Sequence, residues 1–161
     1  DRQGNPVGVL TSGDFIMNTS NVNAYEKTEL TLYFADETGT SLVEEKREVV
    51  HNINTSLEQL IVEQLIAGPA NDESYPTINP DTKLLGVTVK DGICYVNLDS
   101  AFLTPVNQVT SDVTIYSITN SLVELSNINK VQISIDGKKD VKFRDKYNLT
   151  TIFERNLQLL Q

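Results

Sequence analysis

Residues 112–137, DVTIYSITNSLVELSNINKVQISIDG, constrain the fold more tightly than any other stretch of this 161-residue chain. Ile115, Ile118, Leu122 and Leu125 recur at the spacing of one helical face. Ser126, Asn127 and Asn129 break that period. Val131, Ile133 and Ile135 then alternate with Gln132, Ser134 and Asp136, which predicts a strand with one wet face. Asp136-Gly137 closes the unit with a turn signal. A helix that must bury one stripe and a strand that must bury one face, joined by a short turn, commit the chain to layered packing of helix on sheet. None of these side chains is chemically reactive.

The same periods recur upstream. Leu30, Leu32 and Phe34 alternate with Thr31 and Tyr33, predicting a strand, and Asp36 to Thr40 reads as a turn. Residues 42–51 are charged and β-leaning, expected as an irregular or edge strand. Thr55 with Glu58, or Ser56 with Gln59, forms a capping box at the start of a helix. Leu57, Leu60, Ile61 and Leu65 make its apolar face, and Gly68-Pro69 stops it. A loop over 70–82 is long for a compact domain and is read as mobile or as a contact surface. Leu85, Val87 and Val89 predict a strand, Asp91-Gly92 a hairpin turn, and Cys94, Val96 and Leu98 the returning strand. After Gly137 comes a basic patch of Lys138, Lys139, Lys142, Arg144 and Lys146, then an expected terminal helix over 151–160.

Residues 1–27 are rich in Gly, Asn, Ser and Thr and read as a linker or tether, with one short ordered patch near Phe15. A single domain over 28–161 follows. Its order, β-α-β-β-α-β, implies an α+β two-layer sandwich. The sheet is mixed or antiparallel, and the two main helices lie on one face.

Composition excludes several functions. A net charge of −9 disfavours nucleic acid and anionic membrane surfaces, because both repel an acidic domain. No apolar run approaches the length of a membrane span. Zinc needs several Cys or His ligands, and the chain has one of each, Cys94 and His51. Cys94 shares a strand face with Val96 and Leu98, so it is expected to be a small buried core residue. The alternative, a nucleophile, would need His51, which lies in a separate polar segment. No phosphate-binding glycine loop and no nucleophile elbow occurs. The carboxylate pairs Asp36–Glu37, Glu44–Glu45 and Asp72–Glu73 fall in polar stretches, where solvated surface charge is expected. The residues therefore supply no catalytic, cofactor or metal site.

The five segments LTLYFADETG, SLEQLIVEQLIAGP, INPDTKLLGVTVKDGICYVNLDSAF, TIYSITNSLVELSNINKVQISIDGK and KFRDKYNLTTIFERN, in this order, resemble the GerMN domain of GerM-type sporulation and spore germination proteins. The resemblance covers roughly 28–157 and implies a fold similar to ring-building domains of sporulation complexes. It also implies an exported protein, often a lipoprotein, whose anchoring cysteine would lie upstream of Asp1. The expectation is a non-enzymatic interaction or assembly domain of the bacterial envelope. Its partners would be envelope or sporulation-complex proteins, or further copies of itself. Lys138, Lys139, Lys142 and Arg144, with Tyr75 on the long loop, are the candidate interaction surface. The bland reading of the lysines is an edge strand protected against aggregation. The alternative function is a binding module for cell-wall glycan or peptide, motivated by the 70–82 loop and Tyr75. A carboxylate hydrolase ranks last.

Overall fold

In the computed structural model, residues 24–70, 73–106, 109–144 and 146–160 are described. The alternating Leu30, Leu32 and Phe34 lie on β1 (Tyr25–Ala35), which pairs antiparallel with β2 (Leu42–Asn52) along its whole length. β1 begins three residues before the expected domain start at Thr28. Of the expected tether over 1–27, residues 25–27 already belong to β1, and residues 1–23, with the patch near Phe15, lie outside the described residues. Of the two expectations for 42–51 it is the edge strand that forms, and β2 is regular over eleven residues. Its even positions, Glu44, Lys46, Glu48 and Val50, face solvent, and its odd positions from Val43 to Val49 are half-buried. Its charge density had obscured that alternation.

Helix α1 (Leu57–Ala67) starts at Ser56, whose side chain accepts from the Gln59 amide at 3.2 Å. Of the two expected capping pairs it is therefore the Ser56–Gln59 pair that forms. Arg47 of β2 ties down the other end of α1, with Nη2 donating to the Gly68 carbonyl at 2.9 Å. Strands β3 (Leu84–Lys90) and β4 (Ile93–Leu98) form the expected hairpin. Its turn residues Asp91 and Gly92 both have positive φ, 54° and 82°. That is the twist of a two-residue turn matched to antiparallel strands, and it is why the pair is Asp-Gly. Helix α2 (Ser111–Leu122) then crosses over to β5 (Lys130–Ile135), which lies parallel to β4. Two two-residue strands, β6 (Lys142–Phe143) and β7 (Tyr147–Asn148), close the chain with a single 3-10 turn at Leu157–Leu159.

The fold is thus α+β with two helices and mixed pairing, and α1 and α2 both pack on the β3–β4–β5 sheet, against β3 and β5. β1 does not join that sheet. It forms a separate two-stranded sheet with β2, and its free edge lies against α2. The Tyr33 amide donates to Ser121 Oγ at 3.0 Å, and Ser117 Oγ donates to the Tyr33 carbonyl. Side-chain hydroxyls of a helix here replace a neighbouring strand. For this reason α2 is buried well beyond its apolar stripe, including Thr114, Ser117, Asn120 and Ser121.

The expected terminal helix over 151–160 does not form. Phe153 runs extended and exchanges backbone hydrogen bonds with Val131 at 2.7 and 2.9 Å, and Asn156 pairs with Asn120 at 2.9 Å in each direction. One main core joins the two sheets, and a smaller cluster gathers Tyr33, Ala35, Leu42, Val109 and Val113. Leu32 and Phe34 of β1, Ile61 and Leu65 of α1, Ile115 and Ile118 of α2, and Val96 and Ile133 of the three-stranded sheet all belong to the main core, each no more than 1% exposed.

Candidate functional site

The basic patch is divided by the backbone that carries it. Asp136 and Gly137, with φ of 51° and 81°, turn the chain so that Lys138 pairs back onto Ile135. Lys138, Lys139 and Lys142 are left exposed, while Phe143 is buried beneath them in the core. Arg144 belongs to the interior side. Its guanidinium sits 4.7 Å from the Phe143 ring centroid, and Nη1 donates to the Val109 carbonyl at 3.1 Å. Burial lowers its pKa, and its Nε has no partner among the described residues. Arg144 therefore fastens the 142–144 segment to the connection before α2, and three lysines remain as surface.

Lys146 is also engaged. Its Nζ lies 2.8 Å from Asp112 Oδ1 in the first turn of α2, and the Tyr147 hydroxyl donates to the same carboxylate. Burial alone would raise the Asp112 pKa. The hydrogen bonds from Lys146 and Tyr147 and the lysine charge outweigh it, so the carboxyl titrates below its ordinary value. The Tyr147 phenol is pushed up, first by burial and then by Asp112.

Tyr75 is positioned by a different element. Its amide and carbonyl bracket Ala35 at 2.9 and 3.0 Å, so the 70–82 loop is pinned to the end of β1. Thr77 and Ile78 just beyond are buried, with Thr77 Oγ1 2.8 Å from Ser117 Oγ. The second half of this loop is therefore part of the packing. The Tyr75 ring is 41% exposed. Tyr75 thus sits at the end of β1, whereas the lysines follow the turn after β5.

A groove of about 590 Å³ opens where the terminal helix was expected. Tyr116, Tyr147 and Phe153 pack edge to face, with ring centroids 5.5 to 6.4 Å apart, and the 151–158 segment forms its wall. Ile152 and Leu157 are exposed on that wall, and Arg155 is held to Glu124 at 3.0 Å. The sequence carries no local signal for this groove, because its three rings come from separate segments that meet only in the fold.

Cys94 lies on the core face of β4 and is fully buried. Burial, with a smaller contribution from the Glu58 charge, pushes its thiol up to about 12. His51 was expected in a polar segment and is instead buried on β2. Its Nε2 is 2.7 Å from Thr28 Oγ1 and its Nδ1 is 3.0 Å from the Asn52 carbonyl. The imidazole thus serves the hairpin and has both nitrogens occupied. No cluster of three or more metal-binding side chains exists among the described residues. No helix among them is long and apolar enough to cross a membrane.

Two helices on a mixed sheet, with a separate N-terminal hairpin laid against the second helix, define a GerMN-type α+β domain. A profile of the Germane family, described as sporulation and spore germination, matches residues 31–141, and the chain belongs to that family. Among solved structures, it resembles a candidate lipoprotein from Clostridium perfringens at 26% identity and TM-score 0.57, covering 80% of this chain and 87% of the other. It resembles the tandem GerMN domains of the sporulation protein GerM from Bacillus subtilis at 19% identity and TM-score 0.63, covering 96% of this chain and 63% of the tandem. The first GerMN domain of that protein matches at 18% identity and TM-score 0.54, covering 72% and 88%. The two GerM matches speak for the fold. No curated protein sequence matches the chain.

Proposed function

We propose that this chain is a non-catalytic interaction domain of an exported, membrane-anchored envelope protein, and that it docks onto another extracytoplasmic protein during sporulation or spore germination. The observation that carries the reading is the exposed Lys138–Lys139–Lys142 surface on a chain of net charge −9. A local basic surface on an acidic domain steers an acidic partner and repels most others. Membership of a sporulation and germination family supports the setting, and similarity to a candidate lipoprotein supports the envelope location. The groove beside Tyr116, Tyr147 and Phe153 favours a second reading, a module for cell-wall glycan or peptide, because a concave site lined by aromatic rings and polar groups can take such a ligand.

The deciding experiment is crosslinking in sporulating cells, comparing the native protein with the triple variant Lys138→Glu, Lys139→Glu, Lys142→Glu. The expected result is one partner recovered with the native chain and lost with the variant, in material that fractionates with the membrane. Equal recovery with both chains would refute the lysine surface. Binding of purified muropeptides that disappears in Tyr147→Ala would favour the glycan or peptide reading instead.

A further inference from the structure

We propose that β2 is a contact strand through which two copies of this domain pair edge to edge, in one register set by charge. The direction of its backbone groups follows from β1. Tyr33 turns its amide and carbonyl to α2, and Ala35 turns both of its own to Tyr75, so odd residues of β1 point away from β2. Antiparallel pairing alternates strictly, so even residues of β1 bond to odd residues of β2. The even residues of β2 therefore present their amides and carbonyls outward. At one end this is visible directly, because Leu42 pairs on that side with Leu160. From Glu44 to Val50 no other strand pairs with this edge among the described residues.

Charge selects the occupant. Glu44, Lys46, Glu48 and Val50 share the solvent face of the strand, and all are exposed. Strands usually guard such edges with charged side chains, lysine above all. Here the signs alternate, which makes the edge complementary to itself. An antiparallel pair centred on Arg47 sets Lys46 opposite Glu48 of the second copy, twice. Centring on Lys46 or on Glu48 would instead place like charges face to face. Centring on Glu45 also matches charges, but it drives the second strand into Leu160 at Leu42. The Arg47-centred register pairs 43–51 of each strand, so only Asn52, the last residue of β2, comes opposite Leu42.

Arg47 meets its own copy at the axis, but its charge is already engaged. It donates to Glu45 at 2.9 Å and to Gln64 at 2.9 Å, and it lies 5.6 Å from the Phe34 ring centroid. On the solvent face, Glu48 stands across from Glu29 of β1 within one copy. The incoming Lys46 would bring a cation to that acidic pair.

This pairing rests on reading the chain as an assembly domain and names a second copy as one partner. Sedimentation equilibrium of the full chain at millimolar concentration, with amide exchange of Lys46 and Glu48, tests it. The native chain is expected to dimerise weakly and to protect both amides. Lys46→Glu and Glu48→Lys, each alone, are expected to weaken dimerisation about tenfold or more, because two cross-strand pairs become repulsive. Mixed together, the two variants are expected to form a heterodimer. The glutamate introduced in one then faces the lysine introduced in the other, and the unaltered Glu48 and Lys46 face each other at the second pair. Both side chains are exposed, so unchanged melting temperatures control for folding. A monomeric native chain, single variants that dimerise as the native one does, or a mixture that stays monomeric would each overturn the proposal. Partner capture through Lys138, Lys139 and Lys142 is read on a different surface, so the two proposals fail separately.

Discussion

At the residue scale, burial decides what Cys94 can do. A thiol is nucleophilic as its thiolate, and burial holds this one up at about 12. Labelling by a thiol reagent in native buffer is expected to be slow, and to accelerate by orders of magnitude in denaturant. Fast native labelling would place the side chain on the wet face of β4. Asp112 is expected to show in the acid limb of stability. Its folded pKa is depressed, so its contribution is complete above the ordinary carboxylate pKa of about 4 and is lost as pH falls through the lower folded value. Asp36 acts with the same sign. Burial opposes its ionisation, but the Thr38 hydroxyl and the amides of Ser41, Thr40 and Gly39 win. Urea titrations across the acid range should therefore give Asp112→Asn a flatter decline than the native chain. An unchanged decline would mean that the Lys146 and Tyr147 contacts do not persist in solution.

At the element scale, the informative case is the face of α2 opposite Ile115, Ile118 and Leu122. Ser117 receives no help from the helix period, yet it bonds the Tyr33 carbonyl and contacts Thr77 Oγ1 at 2.8 Å. Replacing it by Ala leaves a buried carbonyl on β1 without its helix donor. A loss of about 1–3 kcal/mol is expected in urea unfolding. A change within error of zero would show that β1 reaches water at this point. The apolar face of the same helix and the inward Val131, Ile133 and Ile135 of β5 were legible from spacing, because both depend on local periods, but the wet face expected opposite them fails at Gln132, which is buried with its amide donating to the Thr150 carbonyl. The polar face of α2 was not legible, because a serine pointing at solvent and a serine pointing at a strand edge look alike in sequence. The missing terminal helix has the same cause. Residues 151–160 lack a strong period of their own, and the edge of β5 near Val131 captures Phe153 in extended form.

At the scale of the whole molecule, the two sheets hydrogen-bond separately but share one core. Leu32 and Phe34 from the hairpin sheet are buried in the same cluster as Val96, Val131 and Ile133 from the other sheet, together with residues of α1 and α2. Neither sheet can open without exposing side chains of the other. Unfolding in urea is therefore expected to be one transition, with far-ultraviolet dichroism and tyrosine fluorescence coincident. The chain has no tryptophan, so its six tyrosines report on packing. Two separated transitions would show that the β1–β2 hairpin is an independent unit. The candidate surfaces belong to this scale as well. The basic run was readable from the sequence, but only the contacts of Arg144 with Phe143 and of Lys146 with Asp112 reveal which of its members are held by other groups.

The sequence by itself determined the elements whose signals are local. These are the start of α1 at Thr55 or Ser56, the two Asp-Gly turns, the apolar stripes of both helices and the burial of Cys94. The order of those elements was enough to resemble the family to which the chain belongs. Tertiary structure alone decided that β1 leaves the main sheet, that α2 hydroxyls cover its edge, and that the basic run splits into anchored and exposed residues. It also decided that an aromatic groove forms near the C-terminus. The physical reason is common to all four. Each depends on which distant group satisfies a backbone amide, a carbonyl or a charge, and the identity of that partner is set by packing between segments far apart in the chain.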